Sequence, residues 1–248
     1  MISQWHRFSQ EQLIEEAYKR SAQVFSAEDN YDDLFEPHGI SKYFFFSGVY
    51  YFKHETITPD LIARMSNGAS LLTVGSGDGH LERLLCHGFN ISQQQIHTSD
   101  INIHPRIKEE GFPHYEFDMT KPWPINNLFD YIIFPESLGV ATMTGEECTS
   151  FRFLDDLKKI EKGIFAENVE SRDVEFFLDV ITRDAPETVR KYEIIEQALN
   201  HVNPQGEIRV KWGLDNLQQR AYVMAKLKRD YCVNFFSNLN NFIVKKEN

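Results

Sequence analysis

The chain has 248 residues, 42% of them hydrophobic, and a formal net charge of -11 at pH 7. This length and apolar content predict one large core with additions, and the negative charge disfavours a nucleic-acid partner because it repels a phosphate backbone. The three cysteines are far apart and have no zinc-type spacing, so we expect no metal site and a reduced, cytoplasmic setting. The aromatic run at residues 43–52 is too short to span a bilayer, so no membrane association is expected.

Two helix starts are predicted in the first 60 residues. Ser9 followed by Gln12 is a capping-box pattern, in which each residue satisfies a backbone N–H of the other. The buried face of this helix is predicted to contain Leu13, Ala17 and Tyr18. Thr58 before Pro59 predicts a second helix, with threonine as N-cap and proline at the first helical position.

From residue 70 onward, short apolar runs alternate with helical patterns, as in a parallel sheet with helices on its faces. The predicted strands are 70–75, 95–100, 114–118, 130–135 and 206–212. The predicted helices are 80–88, 104–110, 187–202 and 214–230. Two last strands, at 231–237 and 240–246, would form a hairpin that places an antiparallel strand in the sheet.

The predicted fold is therefore α/β, with a doubly wound, mostly parallel seven-stranded sheet and an antiparallel terminal strand. Residues 1–57 are predicted to form a helical and aromatic N-terminal cap, and residues 58–248 the main domain. Residues 141–184 do not fit the alternation after the fourth strand, so we interpret them as an insertion with its own helix at 150–165.

The stretch LLTVGSGDGH, residues 71–80, ends an apolar strand with glycines at 75, 77 and 79 and then enters a helix. Such a loop lets a ligand approach backbone N–H groups at a helix N-terminus. A phosphate-binding loop would need GxxxxGK(S/T), so hydrolysis of ATP or GTP is not expected. A dinucleotide fingerprint would place its third glycine at position 80, where this chain has His80, and this disfavours a nicotinamide-dependent oxidoreductase.

With the glycine loop, four later segments resemble, in order, the class I methyltransferases that use S-adenosylmethionine (SAM). They are HTSDIN, YEFDMTKPWP, LFDYIIFPESLG and ALNHVNPQGEIRV, the last containing a turn before the fifth strand. The resemblance covers residues 70–135 and 185–248 and implies a Rossmann-like SAM-dependent methyltransferase. It also implies a set of cofactor-binding residues: Gly75, Ser76, Gly77, Asp78, Gly79, Asp100, Ile101, Asp118, Met119 and Pro135.

The resemblance gives some of these residues separate roles. The glycine loop would let the methionine half of SAM lie against the backbone. Asp100 would accept hydrogen bonds from both ribose hydroxyls, for which a carboxylate is chemically suited because it is a pure acceptor. Asp118 would accept from the adenine amino group, and Met119 would pack beside the ring.

Two departures from the family pattern affect these expectations. The family commonly carries an acid two residues before the first glycine, where this chain has Thr73, and this implies a weaker hold on the ammonium group of SAM. After the fourth strand the chain reads FPES, whereas methyltransferases acting on exocyclic or amide nitrogen often carry Asn-Pro-Pro-Tyr. Methylation of a base or a glutamine is therefore disfavoured.

Methyl transfer needs alignment of the acceptor and exclusion of water, and needs a base only if the acceptor must lose a proton. Glu136, one residue past the fourth predicted strand, is the candidate catalytic residue, and its alternative role is to cap the following turn. His80 would contact the SAM carboxylate or the acceptor, or else be an ordinary first residue of a helix in contact with water. The adjacent pair Asp155 and Asp156 is interpreted as a solvated helix face, not a metal site.

The aromatic run 43–52 and the insertion are where the family usually builds its acceptor pocket. Tyr43, Tyr50 and Tyr51 are the predicted pocket residues, with core packing as the alternative. The sequence thus predicts a methyltransferase with a small-molecule acceptor. A protein side-chain methyltransferase and a non-catalytic interaction module of the same fold stay open as alternatives.

Overall fold

The computed structural model describes residues 4–25, 48–135, 137, 172–211, 217–231, 233–237 and 241–246. The chain divides into two compact units, Met1–Phe117 and Asp118–Asn248. The helix predicted at 150–165 lies outside the described residues, as does most of the insertion. None of the helices in the described ranges is both long enough and apolar enough to cross a membrane.

The described part of the first unit begins with the 3₁₀ helix Gln4–Arg7, α1 Gln10–Val24, α2 Val49–Lys53 and α3 Pro59–Ser66. The N-termini of α1 and α3 are capped as the sequence predicts. The Ser9 backbone N–H donates to Gln12 Oε1 (2.9 Å) and the Gln12 N–H donates to Ser9 Oγ (3.3 Å), which completes the capping box. Thr58 Oγ1 accepts from the Leu61 N–H (3.4 Å), and both predicted helix starts are therefore confirmed.

The buried face of α1 is narrower than the sequence suggests. Leu13 and Ala17 are fully buried, and Ser21 continues the face at the same four-residue spacing. The prediction that Tyr18 belongs to this face is wrong, because its side chain is 40% exposed. The Lys53 ammonium lies 5.5 Å from the centre of the Tyr18 ring, so the tyrosine makes a cation–π contact at the surface.

The first unit also contains three parallel strands, β1 Leu71–Val74, β2 Ile96–Asp100 and β3 His114–Glu116, in the order β3-β2-β1. Between them lie α4 His80–Arg83, which continues as one π-helical turn over Leu84–Gly88, and α5 Pro105–Glu110. β1 is buried on both faces, as parallel strands between helical layers are. The three predicted strands and two predicted helices of this region are confirmed, with ends shifted by one or two residues.

The second unit contains β4 Phe129–Phe134, β5 Val202–Lys211, β6 Val233–Ser237 and β7 Asn241–Lys246, in the order β4-β5-β7-β6. β5 is parallel to β4, and β7 is antiparallel to both β5 and β6. The helices of this unit are α6 Arg172–Asp184, α7 Pro186–Asn200 and α8 Leu217–Asp230. The predicted fold class, α/β with mostly parallel strands and an antiparallel terminal strand, is confirmed. Seven strands in one sheet and a cap ending at residue 57 stay predictions.

Two local features differ from the sequence prediction. The segment 203–206 is a bulged part of β5 and not a turn before it, since Phe129 pairs with Val202 and Tyr131 pairs with Glu207. Helix α6 was not predicted, although its buried residues have helical spacing: Val174, Phe177, Leu178 and Ile181. It packs against α7 and α8.

Candidate functional site

The glycine loop is anchored to the end of the neighbouring strand β2. The N–H groups of Gly75 and Ser76 both donate to the carbonyl oxygen of Ser99, at 2.8 and 3.0 Å. The Gly79 N–H closes the loop onto the carbonyl oxygen of Ser76 (3.1 Å). All three glycines of the loop have positive φ, at 77°, 56° and 80°, and L-residues with a side chain rarely adopt this conformation. The loop therefore requires its glycines for backbone reasons as well as for ligand access.

Gly77 and Gly79 have opposite surroundings. A Cβ atom on Gly77 would have no neighbouring atom within 4 Å, and the residue is exposed. A Cβ atom on Gly79 would overlap Cδ1 of Ile107, which is fully buried on α5. Gly77 thus leaves the loop surface open, whereas Gly79 allows α5 to pack closely on the loop.

Asp100, at the end of β2, is brought directly to the loop. Its Oδ2 accepts from the Gly77 N–H (3.0 Å) and its Oδ1 accepts from the N–H of Ile101 (2.7 Å), whose side chain is 60% exposed. Each carboxylate oxygen can accept a second hydrogen bond, so Asp100 keeps acceptor capacity for a ligand. Gly75, Ser76, Gly77 and Asp100, four of the predicted cofactor-binding residues, therefore form one group.

The side chains of Asp78 and His80 are in contact at the start of α4. His80 Nδ1 lies 2.5 Å from Asp78 Oδ1, and Arg106 Nη1 lies 4.0 Å from Asp78 Oδ2. Burial acts to raise the pKa of Asp78, but the hydrogen bond and charge of His80, with the charge of Arg106, outweigh it and hold that pKa below its usual range. His80 begins α4 as predicted, yet it is 5% exposed and contacts the ring of Phe25 (5.1 Å). The alternative of a water-exposed histidine is wrong.

Glu82, the third residue of α4, is a buried carboxylate that the sequence prediction missed. It is 1% exposed, and the Thr73 hydroxyl donates a hydrogen bond to it. Burial raises the pKa of Glu82 to about 7, with help from the charges of Asp78 and Asp100 and against the hydrogen bonds from Thr73 and its own backbone. Among the described residues, no hydrogen-bond partner contacts Glu82 Oε1.

The sequence gives little indication that Glu82 is buried. A glutamate in the first turn of a helix is common because it favours the helix N-terminus, and it is normally exposed. The informative feature is the surrounding composition, since Leu81, Leu84 and Leu85 are all buried on the same short helix. A glutamate between such residues has few directions that lead to water.

In the second unit, the predicted residues Asp118 and Met119 lie in a turn and both accept hydrogen bonds from nearby residues. Asp118 Oδ1 accepts from the N–H (2.9 Å) and the hydroxyl (2.7 Å) of Thr120, and these two bonds lower the pKa of Asp118 against a small effect of burial. The Met119 carbonyl oxygen accepts from the Trp123 indole N–H (3.1 Å), and the Trp123 backbone N–H donates to Gln197 Oε1 (3.2 Å). Hydrogen bonds from Thr120 and Trp123 thus hold the Asp118 side chain and the Met119 carbonyl group.

The remaining predicted site residues are distributed as follows. Pro135 follows the last residue of β4 and is half-buried. The candidate catalytic residue Glu136 lies outside the described residues, as do Tyr43, Asp155 and Asp156. Tyr50 and Tyr51 lie on α2, half-buried, with their rings edge to face at 5.7 Å. Their place in an acceptor pocket stays a prediction.

In the ranges that the structure describes, no three acidic, histidine or cysteine side chains are grouped to hold a metal ion.

No protein-family model matches the chain. No curated protein matches it either. Solved structures of other proteins are similar to it at low identity. The sugar N-methyltransferase KedS8 from Streptoalloteichus sp is 15% identical over 63% of this chain and 46% of its own, with a TM-score of 0.34. TrmN from Thermus thermophilus is 12% identical over 77% of this chain and 50% of its own, with a TM-score of 0.39.

A third is the S-adenosylhomocysteine-bound methyltransferase PaMTH1 from Podospora anserina. It is 10% identical over 95% of this chain and 88% of its own, with a TM-score of 0.41. The chain spans about half the length of the first two structures, at 46% and 50%. These identities and TM-scores are too low to place the chain in a family.

Proposed function

We propose that the chain binds SAM and transfers its methyl group to a small-molecule acceptor. The observation that carries the proposal is the hydrogen bond from the Gly77 N–H to Asp100 Oδ2. It joins an open glycine loop after β1 to a carboxylate at the end of the adjacent parallel strand β2. In open α/β sheets, ligands bind outside the carboxyl ends of the strands, where these residues lie.

The residues fit SAM by their chemistry. The exposed backbone at Gly77 suits the methionine half, and the remaining acceptor positions on Asp100 suit two adjacent hydroxyl donors. Asp118 and Met119 are assigned to the adenine by the resemblance, and the Asp118 oxygen that Thr120 does not use, Oδ2, suits an amino donor.

Bound SAM supplies a methyl group that is already activated by the positive charge on sulfur. The chain therefore has to hold the cofactor, align the acceptor and exclude water. Glu136 remains the residue that is predicted to contact the methyl acceptor. The net charge of -11 supports a small acceptor over a nucleic acid.

Cofactor binding is tested with S-adenosylhomocysteine (SAH), which lacks the reactive methyl group. Calorimetric titration gives the dissociation constant, and a thermal unfolding scan with SAH at a hundred times that constant should show about 2.7 kcal/mol of added stability. ATP and NADH should give no shift. Asp100→Asn should weaken SAH binding at least tenfold, because an amide cannot accept at both positions. Asp179→Asn makes the same change at an exposed position of α6 and should leave binding unchanged.

The acceptor class is tested by incubating the chain with methyl-labelled SAM and a cell extract split by size. Label in the small-molecule fraction supports the proposal, and label in the protein fraction would assign a protein side chain instead. SAH binding without labelling of either fraction would support the non-catalytic module. Absence of SAH binding up to millimolar concentration would contradict the proposed function altogether.

A further inference from the structure

Glu82 differs from Asp78 and Asp100, the other carboxylates of the glycine-loop region, because it is almost completely buried, and no cation among the described residues pairs with it. It is 1% exposed, and its Oε1 has no hydrogen-bond partner among the described residues. An unpaired buried carboxylate is strongly unfavourable, since burial removes its hydration without replacing it. A ligand that donates hydrogen bonds would satisfy the Glu82 carboxylate.

The charges around Glu82 also favour a positive ligand. Asp78 in the loop and Asp100 at the end of β2 both act on Glu82, and both are acidic. Among the described residues, His80 Nδ1 (2.5 Å) and the Arg106 guanidinium (4.0 Å) both contact Asp78. The site therefore contains three carboxylates, and one of their oxygens, Glu82 Oε1, accepts no hydrogen bond from the described residues. This arrangement is complementary to a cation with N–H groups.

SAM and SAH both carry an α-ammonium group in their methionine or homocysteine half. An ammonium group has three N–H donors, whereas the sulfonium centre of SAM has none, so only the ammonium can satisfy Glu82 Oε1 by hydrogen bonding. The Thr73 side chain is neutral and cannot itself balance the positive charge of the ammonium group. The Thr73 hydroxyl instead donates its one proton to either of two acceptors, the Glu82 carboxylate or the carbonyl oxygen of His97 (3.3 Å).

We infer that the Glu82 carboxylate receives the α-ammonium group of SAM, and that Thr73 positions this carboxylate. The acid that holds the ammonium would thus come from helix α4 and not from strand β1. This inference rests on the proposed function, because it concerns the same cofactor. It reverses the expectation that Thr73 weakens the hold on the ammonium group.

The first experiment compares two ligands by calorimetric titration. SAH contains the ammonium group, and 5′-methylthioadenosine lacks both the ammonium and the carboxylate. Glu82→Gln should weaken SAH binding about tenfold or more, since a hydrogen bond between two charged groups is lost, and should leave 5′-methylthioadenosine binding unchanged. Glu15→Gln makes the same chemical change at an exposed position of α1 and should alter neither affinity.

The outcomes separate the inference from the proposed function. If the unmodified chain binds neither ligand, the proposed function is wrong and the inference falls with it. If Glu82→Gln binds SAH as tightly as the unmodified chain does, the inference alone is wrong. An equal loss for both ligands would overturn it as well, because Glu82 would then support the loop as a whole.

A second measurement follows the proton that the chain releases when the ligand binds. Ammonium binding favours the ionised carboxylate, so SAH binding should release a proton from Glu82, about half a proton per ligand at pH 7 given its pKa of about 7. Titrations in two buffers of different ionisation enthalpy measure this release. Glu15→Gln should retain it and Glu82→Gln should lack it. Equal proton release in the unmodified chain and Glu82→Gln would overturn the inference.

A third variant tests the positioning role of Thr73. Thr73→Val removes the hydroxyl with little change of shape and should weaken SAH binding while leaving 5′-methylthioadenosine binding unchanged. Thr73→Ser keeps a hydroxyl at the same position and should restore SAH affinity toward that of the unmodified chain. Unchanged SAH affinity in Thr73→Val would remove Thr73 from the inference.

Discussion

Gly77 and Gly79 are two residues apart and share a positive φ, yet a methyl group should cost more at one than at the other. At Gly77 the cost is that of the left-handed backbone, about 1–2 kcal/mol, because a Cβ there has open space. At Gly79 the same cost is joined by overlap with the buried Ile107, which adds about 1–3 kcal/mol.

We therefore expect Gly79→Ala to lower the free energy of unfolding more than Gly77→Ala does. Chemical denaturation of the two variants measures the difference. Gly77→Val should reduce SAH affinity, because the larger side chain would project from the open surface of the loop. Equal stability of the two alanine variants would contradict the close packing of α5 on the loop.

Glu82 allows a second prediction, in which stability and binding change in opposite directions. Its pKa in the folded chain, about 7, is above its ordinary value of 4.5, so the folded state binds the proton more tightly. The resulting stabilisation is complete below pH 4.5 and is lost as pH rises to 7, a change of about 3 kcal/mol. Glu82→Gln lacks this titration.

At pH 8 and without ligand, Glu82→Gln should be more stable than the unmodified chain, and at pH 4.5 the two should differ less. Urea denaturation at the two pH values checks this prediction, with Glu15→Gln as the matched change on an exposed surface. Loss of stability in Glu82→Gln at pH 8 would mean that the buried carboxylate is paired in the folded chain.

Strand β5 carries a buried ion pair that connects it to β7. Glu207 Oε2 accepts from Arg209 Nη2 (2.6 Å), and Glu207 Oε1 accepts from Nζ of Lys245, its direct partner across the antiparallel pair (2.6 Å). Glu207 and Arg209 are 2% and 4% exposed. Burial acts to raise the pKa of Glu207, but the charges and hydrogen bonds of Arg209 and Lys245 outweigh it and lower that pKa.

Glu207→Gln should lower the free energy of unfolding by about 3 kcal/mol at pH 7, because it removes the negative charge that contacts the buried Arg209 guanidinium. A lowered pKa stabilises the fold above the ordinary value of 4.5, and this contribution is lost as pH falls below it. The difference between the two proteins should therefore shrink in acid. Denaturation at pH 7 and pH 4 measures it, and Glu193→Gln on the exposed side of α7 is the control. Equal stability at pH 7 would contradict a structural role for the pair.

The secondary-structure elements followed closely from the sequence where the signals were local. The capping residues Ser9 and Thr58 begin the helices that they were expected to begin, because a cap is a contact within one turn. The segment 203–206 was misassigned because a turn and a bulge use the same residue types. Gly206 lies in the bulge, where a Cβ would come within 2.7 Å of the Asp130 carbonyl oxygen, and this neighbour is distant in sequence.

For the molecule as a whole, the net charge of -11 disfavours binding to nucleic acid unless basic residues are gathered on one face. Fluorescence anisotropy with labelled single-stranded RNA and duplex DNA at physiological salt should show no binding at micromolar protein. Binding that saturates and weakens steeply with added salt would contradict this prediction and indicate a basic face within the acidic chain.

The strands in chain order and the position of the glycine loop could be derived from the sequence, because both depend on spacing along the chain. Asp100 was included among the cofactor-binding residues through the family resemblance, and helix α6 was not predicted. The burial of His80 and Glu82 and the pairing of Glu207 with Lys245 could not be derived. Each depends on which distant side chains exclude water from a polar group, and this becomes fixed when the elements pack together.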